Sequence, residues 1–236
     1  MRVLLAGGGT GGHINPALAI ASIIREHDPS AEFLFVGTPN GMEARLVPQA
    51  GYRLETMHVA GFQRKLSWKN VKRNVKAAYC LATSQPRARK IVRQFQPDVA
   101  IGTGGYVAGP ILHAAAHLGI PCAIHEQNAF PGVTNKMLSK EVDHVMLTVE
   151  QALQYLHPNC AYTVTGLPVR GGISHPDRAA ARKKLGFDDS MCILSFGGSL
   201  GAGCINDAMA ELIPWHVKNG MQRTFLFRRN GSCARK

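Results

Sequence analysis

The sequence has no apolar run of the ~18 residues that a membrane span needs. Its opening apolar run stops at Ala6, too short for the core of a signal peptide. There is no Cys-x-x-Cys pair: the six cysteines, at 80, 122, 160, 192, 204 and 233, are scattered. That scatter argues against a disulfide framework or a zinc site and fits reduced cytosolic thiols. There is no Asp-x-Asp, and no His, Asp and Glu group stands at metal-ligand spacing. A metal-dependent site is therefore not indicated, and no cofactor is expected. Acids are scarce, with 15 Asp and Glu against 27 Lys and Arg and a net charge of +12. The excess calls for an acidic partner: nucleic acid, anionic lipid or a phosphorylated substrate. No recognisable nucleic-acid motif or stacking aromatics interleave the basic residues, which sets nucleic acid aside. What remains is globular, 45% hydrophobic over 236 residues, enough for one large domain or two of moderate size.

The most informative stretch is Val3 to Pro16, VLLAGGGTGGHINP. An apolar run leads into five glycines around Thr10, then into an apolar helical pattern. This predicts a strand, a tight turn and a helix, with Asn15 as N-cap and Pro16 at the first helical position. Glycines allow close approach of a ligand, and a helix N-terminus offers unpaired N–H groups. The pair makes an anion site, most naturally for phosphate.

The rest alternates strands and helices, which predicts an α/β fold with parallel sheets. Strands are expected at 32–37, 53–59, 97–101, 121–124, 144–148 and 162–165. Helices are expected at 16–27, 42–50, 67–95 in two parts around Pro86, 110–118 and 133–141, with a last one ending at Leu156. The polar run after Gly166 reads as a domain junction, giving domains at 1–165 and 166–236. A helix at 177–185 and a strand at 192–196 follow, then a second glycine-bearing turn, a helix and a strand at 224–227. Ile193 to Ser199 echoes Val3 to Thr10, so a second Rossmann-like unit opens there.

Gly7-x-Gly9-x-x-Gly12 fits a dinucleotide fingerprint, but the second strand ends at Phe35-Val-Gly-Thr38 without the acid that would hold a ribose. Three readings stay open: a phosphate or diphosphate site, a dinucleotide site, and a glycine turn that serves only packing. A second glycine loop at 102–109 also follows a strand, and two such loops at one sheet edge suit a diphosphate. His13 closes the first loop; histidine titrates near neutrality and is a general-base candidate there. Glu126, in His125-Glu-Gln-Asn128, either orients a histidine or a sugar hydroxyl or caps the next helix. Asn128 could bridge two substrates. Arg170 could meet a phosphate or be an ordinary surface arginine. The basic helix from 67 to 82, with Leu66, Trp68, Lys69, Lys72, Arg73 and Lys76, either lies on anionic lipid or is a solvated face.

Gly8-Gly-Thr-Gly-Gly-His13, Gly104-Gly-Tyr-Val-Ala-Gly-Pro110, His125-Glu-Gln-Asn128, Pro131-Gly-Val-Thr-Asn-Lys136 and Gly197-Gly-Ser199 together resemble the MurG family over about residues 1–227. These bacterial transferases add N-acetylglucosamine to lipid I, making lipid II for the cell wall. The resemblance implies an inverting, metal-independent enzyme of GT-B type, two Rossmann-like domains facing across a cleft. It implies acceptor diphosphate at the glycine loops, including Gly104, Gly105 and Tyr106. Thr10, Gly11, Gly12, Asn128, Arg170 and Ser199 match donor positions for UDP-N-acetylglucosamine, and His13 and Glu126 stand as catalytic candidates. For the basic helix it implies peripheral docking on the cytoplasmic face of the cell membrane, where lipid I resides. The implied process is peptidoglycan synthesis, with its links to cell shape, cell division and the cell cycle. Leu167 stands where the family usually has Asn, and Leu200 where a polar or basic residue is common. The tail Arg228 to Lys236 departs from the family pattern, and the uracil pocket and ribose acid have no counterpart in the chain. The expectation is a truncation or frameshift, with a bare sheet edge, self-association and impaired transfer. The alternative is a non-catalytic, acceptor-binding half that needs a donor-binding partner.

Overall fold

The computed structural model describes residues 1–59, 84–170, 176–188, 192–197, 202–219 and 224–228. It falls into two compact units, Met1–Ser174 and His175–Lys236. The expected junction at 165/166 lies inside the first unit. There Thr165 and Gly166 still donate their backbone N–H groups to Leu147 O, at 2.9 and 3.2 Å.

In the first unit seven strands form one wholly parallel sheet. They are β1 (Arg2–Gly7), β2 (Glu32–Gly37), β3 (Arg53–Thr56), β4 (Val99–Gly104), β5 (Cys122–Glu126), β6 (His144–Leu147) and β7 (Tyr162–Val164), in the spatial order β3-β2-β1-β4-β5-β6-β7. The helices are α1 (Gly11–His27), α2 (Glu43–Gln49), α3 (84–95), α4 (Ala108–His117) and α5 (Val133–Leu138), and a 3-10 turn spans Glu150–Tyr155. Strands buried on both faces need continuous apolar runs, and VLLA and FLFV supply them. Successive residues then serve opposite layers. Val3, Leu5, Phe33 and Phe35 pack with Ile14, Ala17 and Leu18 of α1. Leu4, Ala6, Leu34, Val36 and Ile124 pack with α3 and α4 through Ile91, Ile111 and Leu112.

The order reverses between β1 and β4. In open α/β sheets ligands bind at such a switch point, beyond the strands' carboxyl ends. Both glycine loops leave the sheet there.

Most of the expected helices and strands appear, and two corrections matter. First, α1 starts at Gly11, with Thr10 extended at the N-cap (φ −139°, ψ 156°), and Pro16 lies inside the helix. Thr10 O accepts from both His13 N and Ile14 N, at 3.1 and 3.2 Å, so the helix is already wound before Asn15. Gly11 and Gly12 are its first residues, and the loop ahead of it is only Gly8 to Thr10. Second, Pro86 sits within a continuous helical run at 84–95. The expected helix part from 67 to 83 lies outside the described residues.

The second unit has α6 (Arg178–Leu185), β8 (Cys192–Phe196), α7 (Gly203–Lys218) and β9 (Thr224–Arg228). Asp177 caps α6 by accepting from Ala180 N at 2.9 Å. β8 and β9 pair in parallel, so β8–α7–β9 repeats the order of β1–α1–β2. Among the described residues, no helix is long and apolar enough to cross a membrane.

Candidate active site

The two glycine loops touch. Gly8 N donates to Gly104 O at 3.4 Å. Gly105 has φ +83°, and a Cβ there would overlap the Gly8 carbonyl oxygen. Only glycine allows that approach and that backbone. The N–H groups of Gly11 and Gly12, in the first turn of α1, have no intrahelical partner, and the positive end of the helix dipole lies with them. The Thr10–Gly12 segment is therefore a helix N-terminus set at the switch point.

His13 lies half-buried in that turn. Its Nδ1 is 3.0 Å from Gly8 O and 3.4 Å from Thr10 Oγ1. A carbonyl only accepts, so Nδ1 carries the proton and Nε2 keeps its lone pair. Across the seam, a Cβ on Gly104 would come within 3.2 Å of Nε2. The imidazole thus packs on the second loop with its basic nitrogen at the junction of the two. Tyr106, one residue beyond Gly105, is 53% exposed and available to a ligand.

Glu126 ends β5 with 1% exposure. Its Oε1 accepts from Asn128 N (2.9 Å) and Asn128 Nδ2 (3.0 Å), and its Oε2 from Gly132 N (3.2 Å) and Asn135 Nδ2 (2.8 Å). Both oxygens are engaged by the loop that follows and by the start of α5. His125, fully buried, links this edge to the chain beyond β7: Nε2 donates to Gly166 O at 3.0 Å, while Nδ1 accepts from Gln127 Nε2 at 3.0 Å. Burial holds the His125 pKa below the usual imidazole range, against the opposing Gly166 carbonyl and Glu126 charge. Gln127 Nε2 also reaches Thr103 O at 2.9 Å, which ties the third loop to the second.

One residue escaped sequence reasoning. Glu43, at the start of α2, has no exposed surface. Its Oε2 accepts from Gly9 N at 3.0 Å, and its Oε1 from Thr38 N and Thr38 Oγ1 at 2.8 and 2.6 Å. Gly8, Gly37 and Gly41 close around it so tightly that a Cβ on any of them would overlap its side chain. Burial pushes the Glu43 pKa up, but the Thr38 and Gly9 donors outweigh it and the net displacement is downward. The acid expected to hold a ribose is absent, while this one braces the glycine loop itself. The available signal was its isolation, since it is the only acid between 38 and 52.

The fold brings Thr10, Gly11, Gly12, His13, Gly104, Gly105 and Tyr106 to one place. Asn128 is exposed beside the buried Glu126. Arg170 is exposed in the segment after β7, and among the described residues no hydrogen bond joins it to either glycine loop. Ser199 and the basic segment with Leu66, Trp68, Lys69, Lys72, Arg73 and Lys76 lie outside the described residues.

Known proteins resemble this chain in sequence and in fold. The chain is 47% identical over 217 residues to a UDP-N-acetylglucosamine--N-acetylmuramyl-(pentapeptide) pyrophosphoryl-undecaprenol N-acetylglucosamine transferase of Acetivibrio thermocellus, covering 92% of this chain and 58% of that protein. A protein of the same name from Clostridioides difficile is 48% identical, with 90% and 52% covered. The chain therefore spans about half the length of the curated relatives it matches. The crystal structure of Acinetobacter baumannii MurG superposes with a TM-score of 0.64 at 30% identity, over 91% of this chain and 57% of that one. A UDP-GlcNAc 2-epimerase from Neisseria meningitidis shares the fold alone, at 14% identity and a TM-score of 0.61, with 98% and 73% covered. The glycosyltransferase family 28 N-terminal domain matches residues 3–147, which carry both glycine loops, His13 and Glu126, and the chain belongs to that family.

Proposed function

We propose that the chain is an inverting, metal-independent glycosyltransferase that moves N-acetylglucosamine from UDP-N-acetylglucosamine to lipid I, forming lipid II for peptidoglycan. The observation that carries this reading is the placement of His13, whose Nδ1 is engaged by Gly8 O while Nε2 sits at the seam of the two glycine loops. The acceptor diphosphate lies on Gly104, Gly105 and Tyr106. Nε2 takes the proton of the muramoyl 4-hydroxyl. The oxygen then bonds to the anomeric carbon from the face opposite UDP, and the bond from that carbon to the β-phosphate oxygen breaks with inversion. The departing UDP gains negative charge, which the N–H groups of Gly11 and Gly12 and the Arg170 guanidinium meet. Thr10 and Asn128 hold the donor. Glu126 acts as a positioning residue for Asn128.

The chain works from the cytoplasmic face of the bacterial membrane. It is held there peripherally by the basic, aromatic-flanked segment at 66–76, and its product feeds cell-wall growth, shape and division. The second unit, His175–Lys236, begins the donor-binding domain. A second reading is acceptor binding without transfer by this chain alone. It is favoured because both glycine loops, His13 and Glu126 lie within one unit with its own continuous sheet.

The test is transfer of labelled N-acetylglucosamine to a short-chain lipid I analogue by the purified chain, beside His13→Gln. Loss of about 10²–10⁴-fold in kcat with analogue binding retained supports the base assignment. Equal turnover in the variant overturns it. Saturable analogue binding with no turnover in either protein selects the second reading. Co-sedimentation with anionic vesicles tests docking, and binding insensitive to Lys69→Glu with Lys72→Glu rejects it.

A further inference from the structure

At the other edge of the sheet a second cluster forms that the proposed chemistry does not use. His113 and His117 lie one helical turn apart in the last turns of α4, on one face. Their ring centroids are 4.0 Å apart. Glu141, in the connection from α5 to β6, brings Oε2 to 2.6 Å from His113 Nδ1. His117 Nδ1 is 2.9 Å from His113 O, so it donates there and leaves Nε2 with its lone pair outward. Taking one ligand atom from each residue, the three atoms all lie within 4.8 Å of one another. The i, i+4 histidine pair is visible in the sequence, contrary to the expectation of no metal-ligand spacing, but Glu141 joins it only through the packing of α4 beside α5.

We propose that His113, His117 and Glu141 form a surface site for a divalent transition metal, with zinc the best fit. Two imidazoles and a carboxylate are a donor set that zinc takes, leaving one position for water. Tetrahedral zinc with bonds of about 2.0–2.2 Å sets its ligand atoms about 3.3 Å apart. The His113–Glu141 contact opens slightly as the ion replaces the shared proton, and His117 Nε2 closes in. The carbonyl bond at His117 Nδ1 is the outer support that zinc-bound histidines ordinarily have. A bound ion would clip the C-terminal end of α4 to the connection leaving α5. The other ends of those two helices follow the 104–106 loop and the 126–132 loop. With α4 ten residues long, the ion stands about 15 Å from the glycine loop. It acts as a brace on the two loops and takes no part in transfer.

The competing account is a plain His113–Glu141 ion pair. Zinc titration of the purified chain by calorimetry, with melting curves, separates the two. The site predicts one saturable zinc at micromolar concentration and a raised Tm. His117→Ala and Glu141→Gln should each weaken binding at least about tenfold, a scale on which even outer partners of a metal site register. His144→Ala, a histidine elsewhere on the sheet, should leave it unchanged. Cobalt(II) loading should give weak visible bands without the intense near-ultraviolet absorption of a thiolate ligand. Equal affinity in His117→Ala, a thiolate spectrum, or no saturation with a zinc-independent Tm loss in His113→Ala overturns the proposal.

Discussion

Glu43 and Glu126 are both buried carboxylates at the carboxyl edge of the sheet, but they organise it over different distances along the chain. Glu126 serves its own neighbourhood: its four donors come from Asn128, Gly132 and Asn135, within nine residues. Glu43 reaches Gly9 across a separation of 34 residues. The first is a local knot that ties the end of β5 to the start of α5. The second is a tertiary brace, and it exists only once β1, β2 and α2 have packed. The difference bears on function, because Gly8 stands between the Glu43 side chain and the His13 ring. Glu126 sets the shape of a loop, whereas Glu43 sets the place of the proposed base.

The largest expected effect comes from cutting the local knot. Glu126→Ala leaves four N–H donors without their acceptor, that of Asn135 buried and the other three partly so, at about 1–3 kcal/mol for each group that stays unsatisfied. The expected loss is about 4 kcal/mol or more, read from the denaturant midpoint at constant m-value. A loss below about 1 kcal/mol would mean that water replaces the carboxylate and that the knot is not structural.

Glu43→Gln should do less to stability and more to transfer. The amide keeps the volume but turns one acceptor into an NH2 that faces Thr38 N–H or Gly9 N–H. The expected stability loss is about 1–3 kcal/mol. Through Gly8 the His13 ring shifts, so kcat should fall further than KM rises. Equal changes in both would make Glu43 a stability residue only and erase the contrast with Glu126.

The two glutamates also mark what was legible in the sequence. Glu126 sits in a compact motif at a strand end, so its importance can be read there, and its cap-like geometry is one of the two readings the motif allows. The strands and both glycine loops were legible for the same reason: continuous apolar runs and adjacent glycines are local signals. The start of α1 was misread because Asn15-Pro16 imitates an N-cap and first helical residue. Gly11 and Gly12 have already entered the helix behind an extended Thr10. Glu43 is illegible because its bond to the glycine loop spans 34 residues, and its two bonds to Thr38 form only once the turn after β2 is folded. The place of Glu141 beside His113 and His117 is hidden likewise, since helix–helix packing completes the trio.

Acid unfolding offers a third way to separate the regions. Burial holds the His125 pKa down, so the folded protein resists the proton that the unfolded chain accepts below about pH 6.5. Stability contributed by neutral His125 should fall as pH drops from there toward its lowered value, by up to about 1.4 kcal/mol per pH unit. The Glu43 carboxyl is held low by Thr38 and Gly9 against burial. Its contribution is full above the unfolded value of about 4.3 and is lost as pH falls through the lower folded value. The limb nearer neutrality should therefore flatten in His125→Gln and the acid limb in Glu43→Gln. If either variant flattened both limbs, the two regions would be one electrostatic unit.

The smallest expected effect carries the finest distinction. Asn128 is exposed, yet its Nδ2 supplies one of the four bonds to Glu126. Asn128→Ala removes that bond and keeps the backbone donation from Asn128 N, so about 0.5–1.5 kcal/mol of stability should go. A residue that only closes the knot would show this loss and an unchanged KM for UDP-N-acetylglucosamine. A residue that also holds donor would raise that KM by more than the stability loss explains. Asn128→Asp sharpens the choice: it sets a second carboxylate against Glu126 and against the UDP diphosphate, so it should lower both stability and donor affinity. Donor affinity kept in Asn128→Asp would confine Asn128 to the knot and leave Thr10, Gly11, Gly12 and Arg170 as the donor contacts of the first unit.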